Sequence, residues 1–433
     1  MKHRVGPGFA RFNPVQNEFT HLAEEVIARC RTLASFSEDA GSTRRTFLSV
    51  PMRGVHGQFV RWLEPLGVRI HIDAVGNFRF VYSAADADSP RLFIGSHLDT
   101  VPNAGAYDGT LGVLLAVALL QALHGRHFPY AIEVIGFSEE EGVRFSVPFI
   151  GSRALIGRVD DTLLNTKDAL GISVREAIEH FGLNPRGIAQ ARISSDACGY
   201  LEFHIEQGPV LENLNLPLAV VEAIAGQSRM EFTFTGRANH AGTTPMNLRH
   251  DAMAAAAEWI TAVERIAKET PGLVATVGSV QTMPGAVNVI AGEARLSLDV
   301  RHPDDKVRAK AVEQIIHLGQ EIARLRGLSI RWSEQMSQPA VAMDPFLSSQ
   351  FEQAIGKAGC RPHRMVSGAG HDAMIMAEQV PSAMIFLRTP GGISHDPAES
   401  VLVDDVAKAI EAGLYLLDQL ALTPIFQKRT CRA

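Results

Sequence analysis

Short apolar segments alternate with helical segments along most of the chain, and this alternation constrains the fold more than any other feature. In the first 140 residues the strand-like segments are 68–82, in which a turn at 75–77 separates two strands, 91–94 and 130–137. The helical segments are 19–33, 58–66 and 111–123. Strand–helix–strand order favours a mostly parallel sheet with helices on both faces. The sequence therefore predicts an α/β fold.

The segment 218–338 follows a different pattern. Its strand-like stretches are 228–235, 273–282, 292–300 and 329–333, and its long helical stretches are 248–269 and 304–326. This βαββαβ order is typical of a ferredoxin-like α+β domain. Later segments return to the α/β pattern, as helix 346–358, strand 382–387 and helix 403–420. We therefore predict an α/β domain, residues 1–217 and 339–433, interrupted by an inserted domain, residues 218–338.

Length and charge exclude several classes of protein. A chain of 433 residues is too long for one ordinary domain, which agrees with the predicted division. Its net charge is −6 and it has no block of Lys or Arg, so we expect no nucleic-acid partner. The longest apolar run, 111–120, is shorter than the ~20 residues that span a bilayer. We therefore expect no membrane partner.

The N-terminus and the cysteines bear on the cellular compartment. The segment 1–14 has charges but no apolar stretch, so we expect no signal peptide. The four cysteines are far apart in sequence, with no Cys-x-x-Cys pair, and are Cys30, Cys198, Cys360 and Cys431. A disulfide framework or a thiolate zinc site is therefore not expected, and a reducing, cytoplasmic location fits.

Polar clusters directly follow several apolar strands, and they contain some of the 16 histidines. The clusters are 95–100 (Gly-Ser-His-Leu-Asp-Thr), 139–142 (Glu-Glu-Glu-Gly), 204–209 (His-Ile-Glu-Gln-Gly-Pro) and 391–397 (Gly-Gly-Ile-Ser-His-Asp-Pro). The first two clusters, and the nearby Asp108, have ordinary alternative explanations. His97 and Asp99 fit a structural pair, Asp108 fits a Gly-rich turn, and adjacent glutamates fit a solvated loop.

Taken together, the clusters favour a catalytic metal site. Three histidines and at least two carboxylates each follow a separate strand of one predicted sheet, where open α/β sheets place their sites. Nitrogen and oxygen ligands without Cys suit a catalytic Zn²⁺ or Mn²⁺. There are more candidate ligands than one ion needs, so a pair of ions sharing a carboxylate fits better. A Glu not bound to metal could then act as a general base, and Asp99 could orient His97.

The motifs also resemble those of a known family. They are Gly-Ser-His-Leu-Asp-Thr-Val (95–101), Tyr-Asp-Gly (107–109), Glu-Glu-Glu-Gly (139–142), His-Ile-Glu-Gln-Gly-Pro (204–209), Asn-His-Ala-Gly-Thr-Thr-Pro-Met (239–246) and Gly-Ile-Ser-His (392–395). In this order they resemble the hydantoinase/carbamoylase amidohydrolases, a branch of the di-metal aminoacylase and glutamate carboxypeptidase superfamily. The resemblance extends from about residue 43 to residue 420. It implies a di-metal exopeptidase-like catalytic domain with a mixed sheet, and an inserted ferredoxin-like dimerisation (lid) domain.

The resemblance implies a role for each metal-site residue. It implies two divalent ions per subunit, Zn or Mn, with Co or Ni possible. Asp108 would bridge the ions. One ion would also be bound by His97 and His204, and the other by Glu141 and His395. Glu140 would be the general base, and Asp99 would orient His97.

Further roles fall on the inserted domain and the pocket. In the resemblance, His240 reaches the partner subunit's site and polarises the scissile carbonyl, so a homodimer through the inserted domain is implied. Gln207, Asn288 and Arg301 would hold the substrate carboxylate, since a guanidinium grips a planar carboxylate well. Sequence alone favours a surface charge at the end of a strand for Arg301, since most Arg side chains are exposed. His371 would line the pocket or shape its loop.

The implied reaction is hydrolysis of N-carbamoyl-L-amino acids to amino acid, ammonia and carbon dioxide. His204 and Gln207 favour this branch over aminopeptidases. The alternatives are allantoate or another ureido acid, an N-acyl amino-acid amidase or dipeptidase, and a non-catalytic binding protein. The family's commoner Gly-Gly is Gly105-Ala106 here, and Asp396 follows the last ligand, which leaves the substrate open.

Overall fold

The computed structural model describes residues 16–86 and 88–426. The N-terminal segment 1–14 and Cys431 lie outside the described residues. The helices are α1 (Gln16–Ala34), α2 (Val50–Leu63), α3 (Thr110–Ala122), α4 (Ile150–Leu155), α5 (Asp161–Leu164), α6 (Val174–His180), α7 (Val210–Leu214), α8 (Ala252–Glu269), α9 (Asp305–Arg326), α10 (Pro345–Lys357), α11 (Asp372–Met376) and α12 (Val403–Ala421).

The strands are β1 (Arg69–Ile72), β2 (Phe78–Tyr82), β3 (Arg91–His97), β4 (Ala131–Phe137), β5 (Ala197–Ile205), β6 (Leu218–Ile224), β7 (Gly226–Thr235), β8 (Asn239–His240), β9 (Val274–Thr276), β10 (Val280–Met283), β11 (Val289–Ile290), β12 (Glu293–His302), β13 (Ser329–Gln338), β14 (Val341–Ala342), β15 (Arg364–Ser367) and β16 (Ser382–Leu387). The chain forms two compact units. The first comprises the residues up to Glu222, Met343–Met365 and the residues from His371 onward. The second comprises Ala223–Ala342 and Val366–Gly370.

The sheet of the first unit is mixed, and its strand order is β1-β2-β4-β3-β5-β16-β6. The four central strands β4, β3, β5 and β16 are parallel, whereas β1, β2 and β6 pair antiparallel with their neighbours. The mixed sheet that the resemblance implies is therefore confirmed, with a parallel centre and antiparallel edges. Between β1 and β2 the chain turns tightly, with Asp73 accepting hydrogen bonds from the main chain of Val75 and Asn77. So short a connection can join only antiparallel strands.

Helix α3 anchors the central strands. Nearly all of its residues are buried, because it packs on β3 and β5 while α1 and α12 pack on it. A helix that is apolar on all sides is stable only in such a position. The carboxyl ends of the four parallel strands meet at one edge of the sheet, which is where open α/β sheets place their sites.

The second unit is an antiparallel sheet covered by two helices. Its order is β10-β12-β7-β13, with β9 also pairing with β12, and α8 and α9 pack on it around Trp259. The first and third strands of the βαββαβ unit, β7 and β12, lie side by side, so the prediction of a ferredoxin-like fold is confirmed. The predicted strand 273–282 is in fact two strands. The ladder is interrupted where Ser279 bonds through its backbone N–H and hydroxyl to the Ser297 hydroxyl.

Across residues 16–86 and 88–426, we find no helix that combines the length and the apolar character needed to cross a bilayer.

Candidate active site

Three strand ends and two loops bring the candidate ligands together, and Asp108 lies in the loop between β3 and α3. His97 is the last residue of β3, His204 is the penultimate residue of β5, and the three glutamates follow β4. His395 lies in the loop after β16 with a left-handed backbone, φ 57°. These residues approach one another because β3, β4, β5 and β16 run parallel and end at the same edge.

The first cluster consists of His97, Asp108 and His204, and all three are buried. Asp108 Oδ1 lies 3.4 Å from His204 Nε2 and 3.9 Å from His97 Nε2. The Nδ1 atoms of the two histidines lie 2.9 and 3.0 Å from the main-chain oxygens of Asp99 and Ile205, to which they donate. Burial lowers the pKa of His204 to about 4, so that ring is neutral. Its Nε2 is then a bare acceptor.

The second cluster consists of Asp108, Glu141 and His395. His395 Nε2 lies 3.2 Å from Asp108 Oδ2 and 3.8 Å from Glu141 Oε1. Glu141 Oε1 is buried and has no hydrogen-bond partner among the described residues. Asp108 therefore presents one oxygen to each cluster.

The two clusters fit divalent cations. His97 Nε2 and His204 Nε2 face each other at 3.3 Å. In a neutral ring whose Nδ1 donates to a main-chain oxygen, Nε2 has no hydrogen and can only accept. A cation bound by both nitrogens removes that conflict. At the second cluster the orphaned oxygen of Glu141 needs a positive partner for the same reason. Within each cluster the candidate ligand atoms lie within 4.8 Å of one another, and the nitrogen and oxygen donors suit Zn²⁺ or Mn²⁺.

Asp99 holds the loop that carries the glutamates. Its two carboxylate oxygens accept hydrogen bonds from the main-chain N–H groups of Glu140 (2.9 Å) and Glu141 (3.0 Å). The bond to His97 Nδ1 is made by the Asp99 main-chain oxygen, whereas the carboxylate lies 3.7 Å away. Asp99 thus orients His97 through its backbone and positions the glutamates through its side chain.

Glu140 is a buried carboxyl beside both clusters. It joins His97 and Glu141 in a third group of potential ligands. Burial, with the neighbouring charges of Glu141 and Asp372, raises its pKa well above the ordinary value. A carboxyl with a raised pKa is a stronger base than an ordinary one, which suits a group that must accept and return a proton.

Comparison with known proteins identifies the family. The sequence profile described as "Peptidase family M20/M25/M40" matches residues 93–419. The chain belongs to peptidase family M20/M25/M40. This M20 protein is 37% identical to the "Probable allantoate deiminase" of Oryza sativa subsp. japonica, over 93% of this chain and 89% of that protein. It is 36% identical to the "N-carbamoyl-L-amino acid amidohydrolase" of Geobacillus stearothermophilus, over 89% of this chain and 95% of that protein.

A solved structure agrees with these relatives. The amidase of the hydantoinase/carbamoylase family from Burkholderia multivorans superposes with a TM-score of 0.88 and 30% identity, covering 93% of this chain and 98% of that one. The predicted resemblance to the hydantoinase/carbamoylase branch of M20 is therefore confirmed. The protein is an amidohydrolase, an enzyme that hydrolyses C–N bonds.

Two further predicted site residues of this M20 enzyme lie at the clusters. The amide nitrogen of Gln207 donates to both carboxylate oxygens of Asp108, at 3.1 Å each. His371 is buried with its ring edge-on to His204, at 4.4 Å between centroids. Burial lowers the pKa of His371 well below its usual value, so the ring is neutral. Each of the two residues therefore contacts a candidate ligand of the first cluster, Asp108 and His204 respectively.

The other predicted substrate residues belong to the second unit. His240 is exposed, and its Nδ1 accepts from the main chain of Gly242 (3.0 Å) and Thr243 (3.2 Å). The ring hydrogen of the neutral form is therefore on Nε2, which is a donor. Asn288 is adjacent, since its main-chain oxygen accepts from the N–H of Ala241.

Arg301 lies on β12 and already holds a carboxylate. Its Nε and Nη2 donate to the two oxygens of Asp299, at 2.8 and 2.9 Å, and its Nη1 donates to the Gly368 main chain. This fork geometry is the one that guanidinium uses for carboxylates.

Two buried carboxyls at the site were not predicted. Glu202 accepts from the Tyr200 hydroxyl and the Ala373 main chain, and burial raises its pKa to about 8. A charged residue inside the apolar strand β5, two positions before His204, was a signal for it. Glu399 accepts from the backbone of Tyr107 and Asp108, and no sequence motif pointed to it.

Proposed function

We propose that the protein hydrolyses the ureido C–N bond of N-carbamoyl-L-amino acids, giving the amino acid, ammonia and carbon dioxide. The observation that carries the proposal is the buried Glu140 beside two ligand clusters that share Asp108. The name of the Geobacillus relative supports the substrate class. Intact candidate ligands and an intact candidate base argue against a non-catalytic binding protein.

The residues of the first unit supply the proton chemistry. Two divalent ions at the clusters, Zn or Mn with Co or Ni also suitable, would supply Lewis acidity toward a water and the ureido carbonyl. Glu140 takes a proton from the attacking water and returns it to the leaving nitrogen, for which its raised pKa is suited. Asp99 holds Glu140 in place through the main chain of the same loop.

The residues of the second unit supply substrate recognition in this proposal. The Nε2 hydrogen of His240 donates to the carbonyl oxygen as negative charge develops on it. Arg301 and Asn288, with Gln207 of the first unit, hold the substrate carboxylate. Fixing the carboxylate positions the ureido carbon for attack.

We also propose a homodimer formed through the second unit, with His240 acting in the partner's site. The exposure of His240 supports this proposal. An exposed imidazole on the second unit is free to reach the active site of another subunit. Strand β13 gives further support. It is ten residues long, mostly exposed, and among the described residues pairs only with β7. Long exposed edge strands are surfaces on which another chain can pair.

Allantoate is the second candidate substrate, and the name of the 37% identical Oryza relative favours it. Allantoate is also a linear ureido acid with a carboxylate, so the same residues would hold it. The two candidates differ in the substituent on the α-carbon, which is an amino-acid side chain in one and a second ureido group in the other.

The test is a substrate profile of the purified protein loaded with Mn²⁺ or Zn²⁺. Ammonia release is measured with a series of N-carbamoyl-L-amino acids and with allantoate, and release of free amino acid is measured with N-acetyl-amino acids. We expect the highest kcat/KM with an N-carbamoyl-L-amino acid. Higher kcat/KM with allantoate would replace the first candidate by the second. Cleavage of N-acetyl substrates alone would refute both.

A further inference from the structure

Glu399 joins the two loops that build the second cluster. It is 5% exposed and lies in the loop after β16, four residues beyond His395. Its Oε2 accepts from two successive main-chain N–H groups, those of Tyr107 (2.8 Å) and Asp108 (3.0 Å). Its Oε1 accepts from the hydroxyl of Ser394, the residue before His395, at 3.3 Å. The Glu399 carboxylate therefore bonds directly to Asp108, a candidate ligand of the second cluster, and to Ser394, which precedes the candidate ligand His395.

Gly105 shows how closely the two loops are packed. A Cβ at this position would lie 2.5 Å from Glu399 Cβ and 2.9 Å from the main-chain oxygen of Asp396. Carbon atoms cannot approach so closely, so only glycine allows the contact. The close approach at Gly105 and the three hydrogen bonds of Glu399 independently show that the loop containing residues 105–108 is joined to the loop containing residues 394–399. We call this contact the junction.

From this junction we infer that Glu399 is a positioning residue for the second cluster, an inference that rests on the metal centre proposed above. It sets the 3.2 Å separation between His395 Nε2 and Asp108 Oδ2 without contacting a cation itself. His395 needs such support because its side chain is half exposed and its backbone is left-handed. His97 and His204 do not depend on it, since they lie on strands.

The experiment measures Co²⁺ binding to the metal-free full chain by calorimetry and by the visible absorption of the bound ion. The unmodified protein is expected to bind two ions. In Glu399→Ala the affinity for one ion falls about 10- to 100-fold, as for other residues that support metal ligands. The affinity for the other ion falls by a smaller factor, because that ion shares Asp108 but is also bound by His97 and His204, which lie on strands. Glu399→Gln restores both affinities, because one amide oxygen can accept from both N–H groups and the amide nitrogen can donate to Ser394.

Glu212→Ala is the matched control. Glu212 Oε2 also holds the loop after β16, through the Gly391 main chain at 2.9 Å, but it does not bond to Asp108. Binding of both ions should be unchanged in this variant. If Glu399→Ala does not fold, Gly105→Ala takes its place. Its added methyl group should separate the same two loops and lower the affinity for the same ion.

The outcomes separate the inference from the proposed function. Two ions bound with unchanged affinities in Glu399→Ala would overturn the inference alone. Equal loss in Glu399→Gln and Glu399→Ala would also overturn it, because hydrogen-bond geometry would not be the cause. Fewer than two ions in the unmodified protein would instead refute the di-metal centre.

Discussion

Glu140 is the side chain on which the proposed proton transfer depends. Glu140→Gln preserves size and removes the basic oxygen, so kcat should fall about 10²- to 10⁴-fold. The metal content should stay at two ions, since Glu140 lies outside the two proposed ligand clusters. Steady-state kinetics and elemental analysis of the same sample check this. Loss of an ion in this variant would show that the base and the ligand had been assigned to the wrong glutamates.

Arg301 should govern substrate binding, and Arg295 offers a matched control. Both lie on β12, and each bonds to a carboxylate two residues earlier in the chain, Asp299 and Glu293 respectively. Arg301→Ala should raise KM about 10- to 100-fold, the expected cost of losing a charged hydrogen bond. Arg295→Ala should leave KM unchanged. Equal KM values for the two variants would refute the carboxylate clamp.

Single residues differ in how far the sequence reveals them. His97, His204 and His395 follow apolar strands, and parallel strands end at one edge, so their meeting follows from the pattern. Glu399 lies in a loop with no periodicity, and its contact with the Asp108 backbone depends on tertiary structure alone. Likewise, the sequence shows that Asp99 is near His97 but not which of its oxygens accepts the bond.

At the scale of elements, two helical glycines should respond oppositely to alanine. A Cβ on Gly112 of α3 would lie 2.0 Å from the Phe203 main-chain oxygen of β5, whereas a Cβ on Gly57 of α2 meets no atom nearer than 3.9 Å. Gly112→Ala should lower the free energy of unfolding by about 3 kcal/mol or more through overpacking. Gly57→Ala should raise it by about 0.5–1 kcal/mol. Urea denaturation of both variants measures this.

A stable Gly112→Ala variant would mean that α3 can shift away from β5 and is not the fixed support described above. A destabilised Gly57→Ala variant would mean that the space around α2 is smaller than the structure shows.

The sequence predicted whether a segment is a helix or a strand more reliably than it predicted the residues at which that helix or strand begins and ends. Helix α2 begins at Val50 rather than at 58, because Pro51 fits the first turn and two glycines hide the apolar periodicity. Helix α8 begins at Ala252 rather than at 248, because the Asp251 side chain caps it. Strand β3 continues past 94 to His97 through Gly95 and Ser96, which have low strand propensity but pair with β4.

At the scale of the whole molecule, the proposed dimer predicts complementation. A heterodimer of Glu140→Gln and His240→Ala chains has one site with neither lesion if His240 acts in the partner's site. It should then have about half the activity of the unmodified dimer, as the symmetry of a two-fold dimer requires. Each homodimer should be nearly inactive. The heterodimer can be purified through two different affinity tags and assayed directly.

Background activity in that heterodimer would show that His240 acts within its own chain, and an active His240→Ala homodimer would show that His240 has no catalytic role. A monomeric unmodified protein in sedimentation equilibrium would refute the dimer itself.

The position of the ligands along the chain has a consequence for biosynthesis. All three residues of the first cluster have been synthesised once residue 204 is reached, whereas the second cluster also needs His395, which follows the whole second unit. A growing chain therefore contains one complete set of ligands long before the other. A translation product that stops between these positions would keep the donors for one cation but lack the residues for turnover. Competence for catalysis is thus conferred only after residue 395 has been added.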